Sequence, residues 1–239
     1  MANLKAVILA GGLGTRLRPY TFIIPKPMLP LGDRPILEHI LSWLSTNDLR
    51  DIVIATGYLA HFIEDYFRNG SAIGLDLSIK YVRSAKPLSQ GGQLKTVEGA
   101  IGGETFVLTY GDVVTNLDLK PIVAFHSEMK GLATLVARKL TTTTRFGVLH
   151  LDDDSRITKW EEKPKTDAIV NTGVYVMEPK IFDYIPEGQV ISMDKVFQQA
   201  MAEGERAYAY VSDANFIDIG DTNSYRIAVD EYTKRLTGV

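Results

Sequence analysis

The sequence predicts an α/β fold with a Rossmann-like, mixed and mostly parallel sheet and with helices on both faces. Short apolar runs typical of buried strands recur along the first part of the chain, and between them apolar residues recur at helical spacing. Alternating strands and helices imply parallel strands joined by crossover helices, which cover both faces of the sheet. We expect strands at residues 6–9, 52–55, 77–81, 106–109 and 133–137.

Two helices are predicted between the first three strands, over residues 36–44 and 62–67, because their apolar residues share one helical face. Beyond about residue 140 the pattern changes to short strands at 147–151, 157–160 and 174–177, with a turn at 152–155, which is typical of hairpins. An amphipathic helix should close the chain. Its apolar face consists of Tyr225, Ala228, Val229, Tyr232 and Leu236.

The composition is compatible with one sizeable domain. The chain has 239 residues, of which 45% are hydrophobic, and 26 basic residues against 29 acidic ones give a net charge of −3. This balance does not suggest a general nucleic-acid or membrane surface. Cysteine is absent, which excludes disulfides and thiol nucleophiles and fits a reducing cytoplasm. The N-terminal apolar run is shorter than a signal sequence or a membrane span requires.

A glycine-rich loop follows the first predicted strand. Gly11, Gly12 and Gly14 leave backbone N–H groups unobstructed at the carboxyl edge of the sheet, where a phosphate chain can approach. Arg16 and Lys26 supply positive charge nearby. The loop therefore predicts a site for a nucleoside triphosphate, although a glycine cluster alone is often only a turn.

Two other phosphate-binding loops fit less well. A P-loop requires Lys-Ser or Lys-Thr after its last glycine, whereas Gly14 is followed by Thr15 and Arg16. The dinucleotide pattern G-x-G-x-x-G lacks its third glycine, because Leu17 stands there. An ATPase loop is thus excluded, and a dinucleotide-dependent oxidoreductase is a weak alternative.

Several motifs together are more specific than the glycines. The loop from Leu9 to Leu17 with Pro19, and the Pro25-Lys26-Pro27-Met28 run, are accompanied by motifs at 111–112, 161–164, 171–175 and 218–220. This pattern resembles the sugar-1-phosphate nucleotidylyltransferases, or nucleotide-sugar pyrophosphorylases, and is most similar to their stand-alone catalytic domains for mannose-1-phosphate or glucose-1-phosphate. The resemblance covers nearly the whole chain. It implies the nucleotide-diphospho-sugar transferase fold.

The resemblance also implies a domain organisation. We expect one domain over residues 1–239, with a nucleotide-binding half at 1–140 and a sugar-binding half with the C-terminal helix at 141–239. The sequence has no hexapeptide repeat of the kind that longer members append as a β-helix. The chain is therefore expected to be a catalytic domain alone.

The implied reaction is attack of a sugar-phosphate oxygen on the α-phosphorus of the triphosphate, with release of pyrophosphate. The attacking phosphate is already an anion at neutral pH, so the enzyme has to neutralise charge and align the groups. By resemblance, Arg16 contacts the β- and γ-phosphates, and Lys26 reaches the α-phosphate or the sugar phosphate. Asp112 and Asp218 would hold Mg²⁺, which suits two carboxylates. The alternatives are solvated charges for the cations and turn caps for the carboxylates.

The remaining site residues are also implied by the resemblance. Lys163 would bind the sugar phosphate, Glu162 the sugar hydroxyls, and Gly111, Asn171 and Gly173 would line the sugar pocket. The predicted nucleotide-binding residues are Leu9, Ala10, Gly11, Gly12, Gly14, Thr15, Arg83, Gln90 and Gly91.

The segment expected to bind the nucleobase departs from the family pattern. Family members often carry Glu-Pro-Leu-Gly-Thr-Ala-Gly where this chain has Lys86-Pro87-Leu88-Ser89-Gln90-Gly91-Gly92. Arg83 lies near a position where the family commonly has Gln or Glu. A guanidinium has only donors, and guanine offers O6 and N7 as paired acceptors, which favours GTP slightly, although Gln90 could read the base instead.

Our first hypothesis is therefore mannose-1-phosphate with GTP, and the alternative is glucose-1-phosphate with dTTP, UTP or CTP. A non-catalytic regulatory relative that binds a nucleotide sugar is a further alternative, against which the retained charged residues argue. The expected partners are the two substrates, with no nucleic acid or membrane. A cytoplasmic location is expected, and a homo-oligomer is a possible assembly.

Overall fold

The computed structural model describes residues 4–237, and side chains up to residue 233. Its strands are β1 Lys5–Leu9, β2 Pro30–Leu31, β3 Arg34–Pro35, β4 Asp51–Thr56, β5 Ser78–Arg83, β6 Phe106–Tyr110, β7 Val113–Thr115, β8 Ala133–Thr143, β9 Val148–Leu151, β10 Ile157–Glu161, β11 Lys165–Met177, β12 Ala207–Val211 and β13 Phe216–Asp218.

The helices have both α and 3₁₀ geometry. The α-helices are α1 Ile36–Thr46, α2 Ala60–Phe67, α3 Ser89–Lys95, α4 Glu98–Ile101, α5 Lys120–Met129, α6 Met193–Ala202 and α7 Thr222–Thr237. Short 3₁₀ segments occupy Thr15–Leu17, Tyr20–Phe22, Lys26–Met28, Ser71–Ile73 and Pro179–Tyr184. Within the described residues, none of these helices has the length and apolar character needed to cross a bilayer.

A seven-stranded sheet with the order β12-β8-β11-β6-β1-β4-β5 forms the centre of the molecule. The β1–β4, β1–β6, β4–β5 and β8–β12 pairs are parallel, and β11 is antiparallel to both β6 and β8. The predicted mixed, mostly parallel sheet is therefore confirmed. All five predicted strands are present, and β5 continues to Arg83 because that residue pairs with Thr56 at the end of β4.

The second part of the chain contributes to the same sheet. The hairpin predicted after residue 140 is present as β9 and β10. The run at 174–177, however, is the buried end of the long strand β11, which lies between β6 and β8. Because Val174 to Met177 are buried on both faces, this segment has the apolar character of an interior strand. Residue 140 itself falls within β8.

Side chains of β1 alternate between two cores, one on each face of the sheet. Ala6 and Ile8 pack with the buried face of α1, whereas Val7 and Leu9 pack with apolar residues of α3, α4 and α6. On the predicted face of α7, Ala228 is buried, and the other described side chains of this face pack with it against the core that contains Ala6 and Ile8. The side chain of Leu236 lies outside the described residues. Helices thus cover both faces, as predicted.

Candidate active site

A pocket of about 260 Å³ lies beyond the carboxyl ends of β1 and β6. This is the edge where ligands bind in open α/β sheets, because the loops after parallel strands meet there. The predicted site residues that line the pocket are Leu9, Ala10, Gly11, Gly12, Gly14, Thr15, Arg16, Lys26, Gln90, Gly111 and Asp112. The structure therefore brings the glycine loop, Arg16, Lys26 and one predicted metal ligand together.

The glycine loop is held open toward this pocket. Gly14 has a φ of 61°, which favours glycine, and its carbonyl accepts hydrogen bonds from Thr21 Oγ1 and the Leu17 N–H. Within the described chain, and apart from Gly12 and its two sequence neighbours, no atom lies within 4 Å of the position that a Cβ of Gly12 would take. The backbone at Gly12 is thus accessible to a ligand.

Lys26 and Asp112 form an ion pair across the pocket. Lys26 begins a 3₁₀ turn between Pro25 and Pro27, and its Nζ donates to Oδ2 of Asp112. The two side chains are 14% and 21% exposed, so little water screens the pair. The other carboxylate oxygen, Asp112 Oδ1, is buried and has no hydrogen-bond partner in the described part of the chain. Such an atom normally has a partner, which suggests that a bound group supplies one.

Asp218 approaches the same volume from the end of β13. This strand is antiparallel to β7, with Asp218 opposite Val113, and the Ile219 N–H donates to the Asp112 carbonyl over 3.2 Å. Loss of solvent raises the pKa of the Asp218 carboxyl, and the negative charge of Asp112 raises it further. The positive charges of Lys26 and Arg16 act in the opposite direction. Two carboxylates and two cations therefore share one electrostatic environment.

This donor set fits the magnesium ion that the resemblance implies. The described residues contain no group of three or more His, Cys, Asp or Glu side chains at metal-binding distance. Mg²⁺ typically binds through one or two carboxylates and takes its remaining ligands from phosphate oxygens and water. The unpartnered Oδ1 of Asp112, together with Asp218, could supply the protein's share.

Asn171 and Gly173 are not in the pocket lining and lie behind Tyr110, which lines the pocket. The Asn171 amide donates to the Tyr175 hydroxyl, which lies 2.9 Å from the hydroxyl of Tyr110. Gly173 has a φ of 85°, and a Cβ there would lie 2.9 Å from the Tyr110 ring. The β8–β11 register shifts between Asn171 and Tyr175, a bulge of the kind that often re-aims side chains next to active sites. These residues therefore shape one pocket wall.

Glu162 and Lys163 are not brought to the pocket. Both are exposed and follow β10, whose only strand partner in the described structure is β9. Glu162 lies near Gly147 and Trp160 instead. In the described structure, β9 and β10 pair with each other and not with a strand of the main sheet. Backbone pairing therefore does not connect this hairpin to the strand that precedes the glycine loop. The roles of Glu162 and Lys163 in sugar binding stay predictions.

Arg83 and Gly91 also lie outside the pocket lining. The Arg83 guanidinium donates to both carboxylate oxygens of Glu64 on α2, with distances of 2.7 and 3.3 Å. Two of its N–H donors thus contact α2 and not a pocket residue, and this placement does not support Arg83 as the base-reading residue. A Cβ on Gly91 would lie 2.8 Å from Val196, so this glycine allows α3 to approach α6.

Sequence reasoning missed several lining residues, including Gln93, Tyr110, Lys86 and Ser84. Gln93 follows Gln90 by three residues, and this spacing places both on one face of α3. The three-residue spacing from Gln90 is therefore the sequence feature that could have identified Gln93 as a lining residue. Tyr110 ends a strand whose apolar residues predicted only core packing, and burial raises the pKa of its hydroxyl.

Comparisons with known proteins agree with this geometry. A family model described as nucleotidyl transferase matches residues 5–235. The mannose-1-phosphate guanylyltransferase of Mycobacterium tuberculosis is 36% identical over 228 residues, which cover 93% of this chain and 63% of that protein. The UTP–glucose-1-phosphate uridylyltransferase of Synechocystis sp. is 33% identical over 242 residues, or 95% of this chain and 62% of that protein. The chain thus spans less than two thirds of these relatives.

A solved structure of HddC from Yersinia pseudotuberculosis complexed with GMP-PN has the same fold. It matches with a TM-score of 0.74 at 27% identity, and the match covers 96% of this chain and 100% of that one.

Proposed function

Because the chain belongs to the nucleotidyl transferase family, whose members include sugar-1-phosphate nucleotidyltransferases, we propose that it joins a sugar-1-phosphate to a nucleoside triphosphate. The products would be a nucleotide sugar and pyrophosphate. The observation that carries this proposal is the convergence of an accessible glycine loop, Lys26, Asp112 and Arg16 in one pocket. Asp218 contributes a second carboxylate beside them.

The proposed step is an in-line displacement at the α-phosphorus. A bond forms between an oxygen of the sugar phosphate and the α-phosphorus, and the bond from that phosphorus to the bridging oxygen of pyrophosphate breaks. No protein base is needed, since the attacking phosphate is ionised at neutral pH. Charge neutralisation and alignment are therefore the main tasks of the protein.

Each charged residue has a role in this scheme. The glycine-loop N–H groups bind the triphosphate, Arg16 stabilises the charge that develops on pyrophosphate, and Lys26 binds the α-phosphate or the incoming phosphate. Asp112 and Asp218 would hold Mg²⁺, which supplies further positive charge to the phosphate oxygens when it is bound. Because Lys26 is paired with Asp112, binding of substrate phosphate requires Lys26 to share or exchange this partner.

The residues that would bind the sugar-1-phosphate are Glu162, Lys163, Asn171, Gly111 and Gly173. Gly111 lines the pocket itself, and Tyr110 connects Asn171 and Gly173 to the pocket, since it lines the pocket and contacts the β11 bulge. Glu162 and Lys163 would have to reach the substrate from the β9–β10 hairpin.

Mannose-1-phosphate with GTP is our first candidate pair, and glucose-1-phosphate with dTTP, UTP or CTP is the alternative. The names of the relatives include both a guanylyltransferase and a uridylyltransferase. These names do not separate the two pairs, and the pairing of Arg83 with Glu64 does not support the choice of GTP. A cytoplasmic location, and assembly as a homo-oligomer, belong to the same proposal.

Pyrophosphate release tests the proposal. Five triphosphates are each combined with several hexose-1-phosphates in the presence of Mg²⁺, with the Asp112→Asn variant as a control. We expect wild-type protein to release pyrophosphate only when both substrates are present. Binding of a nucleotide sugar without release from any pair would instead identify a non-catalytic regulatory relative.

A further inference from the structure

Gln93 is a buried polar side chain in the pocket, and the mechanism above does not use it. It lies on α3, is only 8% exposed, and belongs to the pocket lining. A glutamine is rarely buried this deeply unless its amide has hydrogen-bond partners. Its presence here therefore calls for a ligand or a structural partner.

One end of the Gln93 amide has a structural partner. Its Nε2 donates to the carbonyl of Ala55 over 3.3 Å, at the end of β4. A Cβ on Gly11 would lie 1.8 Å from the same nitrogen, so the amide is packed directly against the glycine loop. These two contacts fix which way the side chain faces. Gly11 is needed for this packing as well as for access of the phosphates.

The other end of the amide is unpaired. Among the described residues, the Gln93 side chain forms its hydrogen bond through Nε2, and no donor pairs with Oε1. This oxygen can only accept, so it suits an N–H or O–H group of a ligand and would repel a phosphate oxygen. Arg16 and Lys26, the cations assigned to the phosphates, are supplied by other segments of the lining, whereas Lys86 lies in the segment that leads into α3.

Gln90 adds a complementary group on the same face of α3, three residues earlier. Its Oε1 accepts a hydrogen bond from Ser89 Oγ over 2.8 Å, which leaves its Nε2 available as a donor. Together the two amides offer an acceptor and a donor. Every nucleobase carries a donor next to an acceptor on its Watson–Crick edge, whereas a phosphate chain carries only acceptors.

We infer that Gln93 determines base specificity, with Oε1 accepting a hydrogen bond from an N–H on the Watson–Crick edge of the bound triphosphate's base. This inference rests on the proposed function, because it requires the pocket to take a nucleoside triphosphate. It assigns to α3 the base recognition that the sequence suggested for Arg83. The anchored nitrogen gives the oxygen a fixed position, which favours one base over others.

The first test measures dissociation constants of ATP, GTP, CTP, UTP and dTTP by calorimetric titration. Gln93→Met keeps the side-chain length and removes hydrogen bonding, and Gln199→Met on the exposed face of α6 is the matched control. We expect Gln93→Met to weaken binding of the preferred triphosphate about 10-fold or more, and to leave inorganic tripolyphosphate binding unchanged. Equal weakening of all five triphosphates, or an unchanged preference, would overturn the inference.

The second test changes the ligand. The preferred triphosphate is compared with an analogue whose Watson–Crick N–H is replaced by N–CH₃, using wild-type protein and Gln93→Met. We expect methylation to weaken binding strongly to wild-type protein and much less to the variant. If the penalty is the same in both, or if removal of a ribose hydroxyl reproduces it instead, Gln93 does not read the base. Should the variant fail to fold, unchanged binding of the methylated analogue to wild-type protein would still overturn the inference.

The outcomes separate this inference from the proposed function. Wild-type protein that binds no triphosphate would contradict both. Wild-type protein that releases pyrophosphate, combined with an unchanged base preference in Gln93→Met, would contradict only the role of Gln93.

Discussion

Lys26 Nζ donates to Oδ2 of Asp112, while the second oxygen of that carboxylate is buried with no partner among the residues that the structure describes. One carboxylate thus neutralises a lysine and retains a free lone pair for another cation. In the proposed reaction, the two cations would then be held on opposite oxygens of a single side chain. This relationship makes Asp112 the residue on which the proposed chemistry depends most.

Replacement of either carboxylate should abolish most activity. Asp112→Asn and Asp218→Asn each remove a charge that would hold Mg²⁺, and loss of a metal ligand costs several kcal/mol of transition-state stabilisation. We expect a large fall in kcat, weaker Mn²⁺ binding by electron paramagnetic resonance, and a circular dichroism spectrum like that of wild type. Asp213→Asn, at an exposed position, is the control. Near wild-type turnover at saturating Mg²⁺ would refute the metal assignment.

Arg16 and Lys26 should act mainly on the chemical step. Arg16→Met and Lys26→Met each remove a preorganised cation, and we expect kcat to fall roughly 10²- to 10³-fold. Lys195→Met, on the exposed face of α6, should have little effect. Steady-state kinetics distinguish an effect on the chemical step from an effect on substrate binding. A rise in KM with unchanged kcat would assign Arg16 and Lys26 to ground-state binding alone.

Glu162 should affect the sugar substrate and not the nucleotide. Removal of a carboxylate that accepts from sugar hydroxyls costs about 1–3 kcal/mol, so Glu162→Ala should raise the KM for sugar-1-phosphate far more than that for the triphosphate. Glu187→Ala, another exposed position, serves as control. If both KM values changed equally, Glu162 would not belong to the sugar pocket.

Arg83 should have little influence on base choice. Its guanidinium is paired with Glu64 on α2 and lies outside the pocket lining. Arg83→Ala should therefore leave the ratio of kcat/KM values between triphosphates unchanged. A narrowing of that ratio by tenfold or more would show that Arg83 leaves Glu64 to contact the base.

The sequence predicted the sheet because strand and helix periodicities are local properties. The segment at 174–177 shows the limit of prediction from local periodicity. Its apolar run indicated a strand, but its insertion between β6 and β8 depends on contacts with residues far away in sequence.

Some features of the site could likewise be predicted from the sequence, and others could not. The glycine loop and Asp112 directly follow β1 and β6 at the carboxyl edge, so their convergence follows from topology. Lys26 lies in a later 3₁₀ turn and joins them through its ion pair with Asp112. The pairing of Arg83 with Glu64 could not be predicted, because Glu64 lies on another element and no local pattern reveals this contact. Gln93 was missed because a single buried amide has no sequence signature beyond its helical spacing from Gln90.

Stability should fall in mild acid because of His39. This side chain on α1 is buried, its Nε2 lies 2.8 Å from the Leu31 carbonyl, and burial lowers its pKa. The unfolded chain, with a His pKa of about 6.5, therefore binds more protons than the folded chain below that pH. The stability that neutral His39 contributes is complete above about pH 6.5 and is lost as the pH falls toward the lowered value.

Thermal unfolding between pH 7.5 and 5 checks this expectation. The His39→Gln variant should show a shallower decrease in Tm than wild type, whereas His61→Gln, at an exposed position, should follow the wild-type curve. Parallel curves for wild type and His39→Gln would contradict the assignment.

The central claim is that a phosphate oxygen of the sugar-1-phosphate forms the new bond to the α-phosphorus. Mass spectrometry of a reaction with sugar-1-phosphate labelled with ¹⁸O throughout its phosphate group tests it directly. The account predicts a nucleotide sugar that retains every labelled oxygen, together with unlabelled pyrophosphate. Labelled pyrophosphate, a nucleotide sugar that has lost label, or no nucleotide sugar with any substrate pair would contradict it.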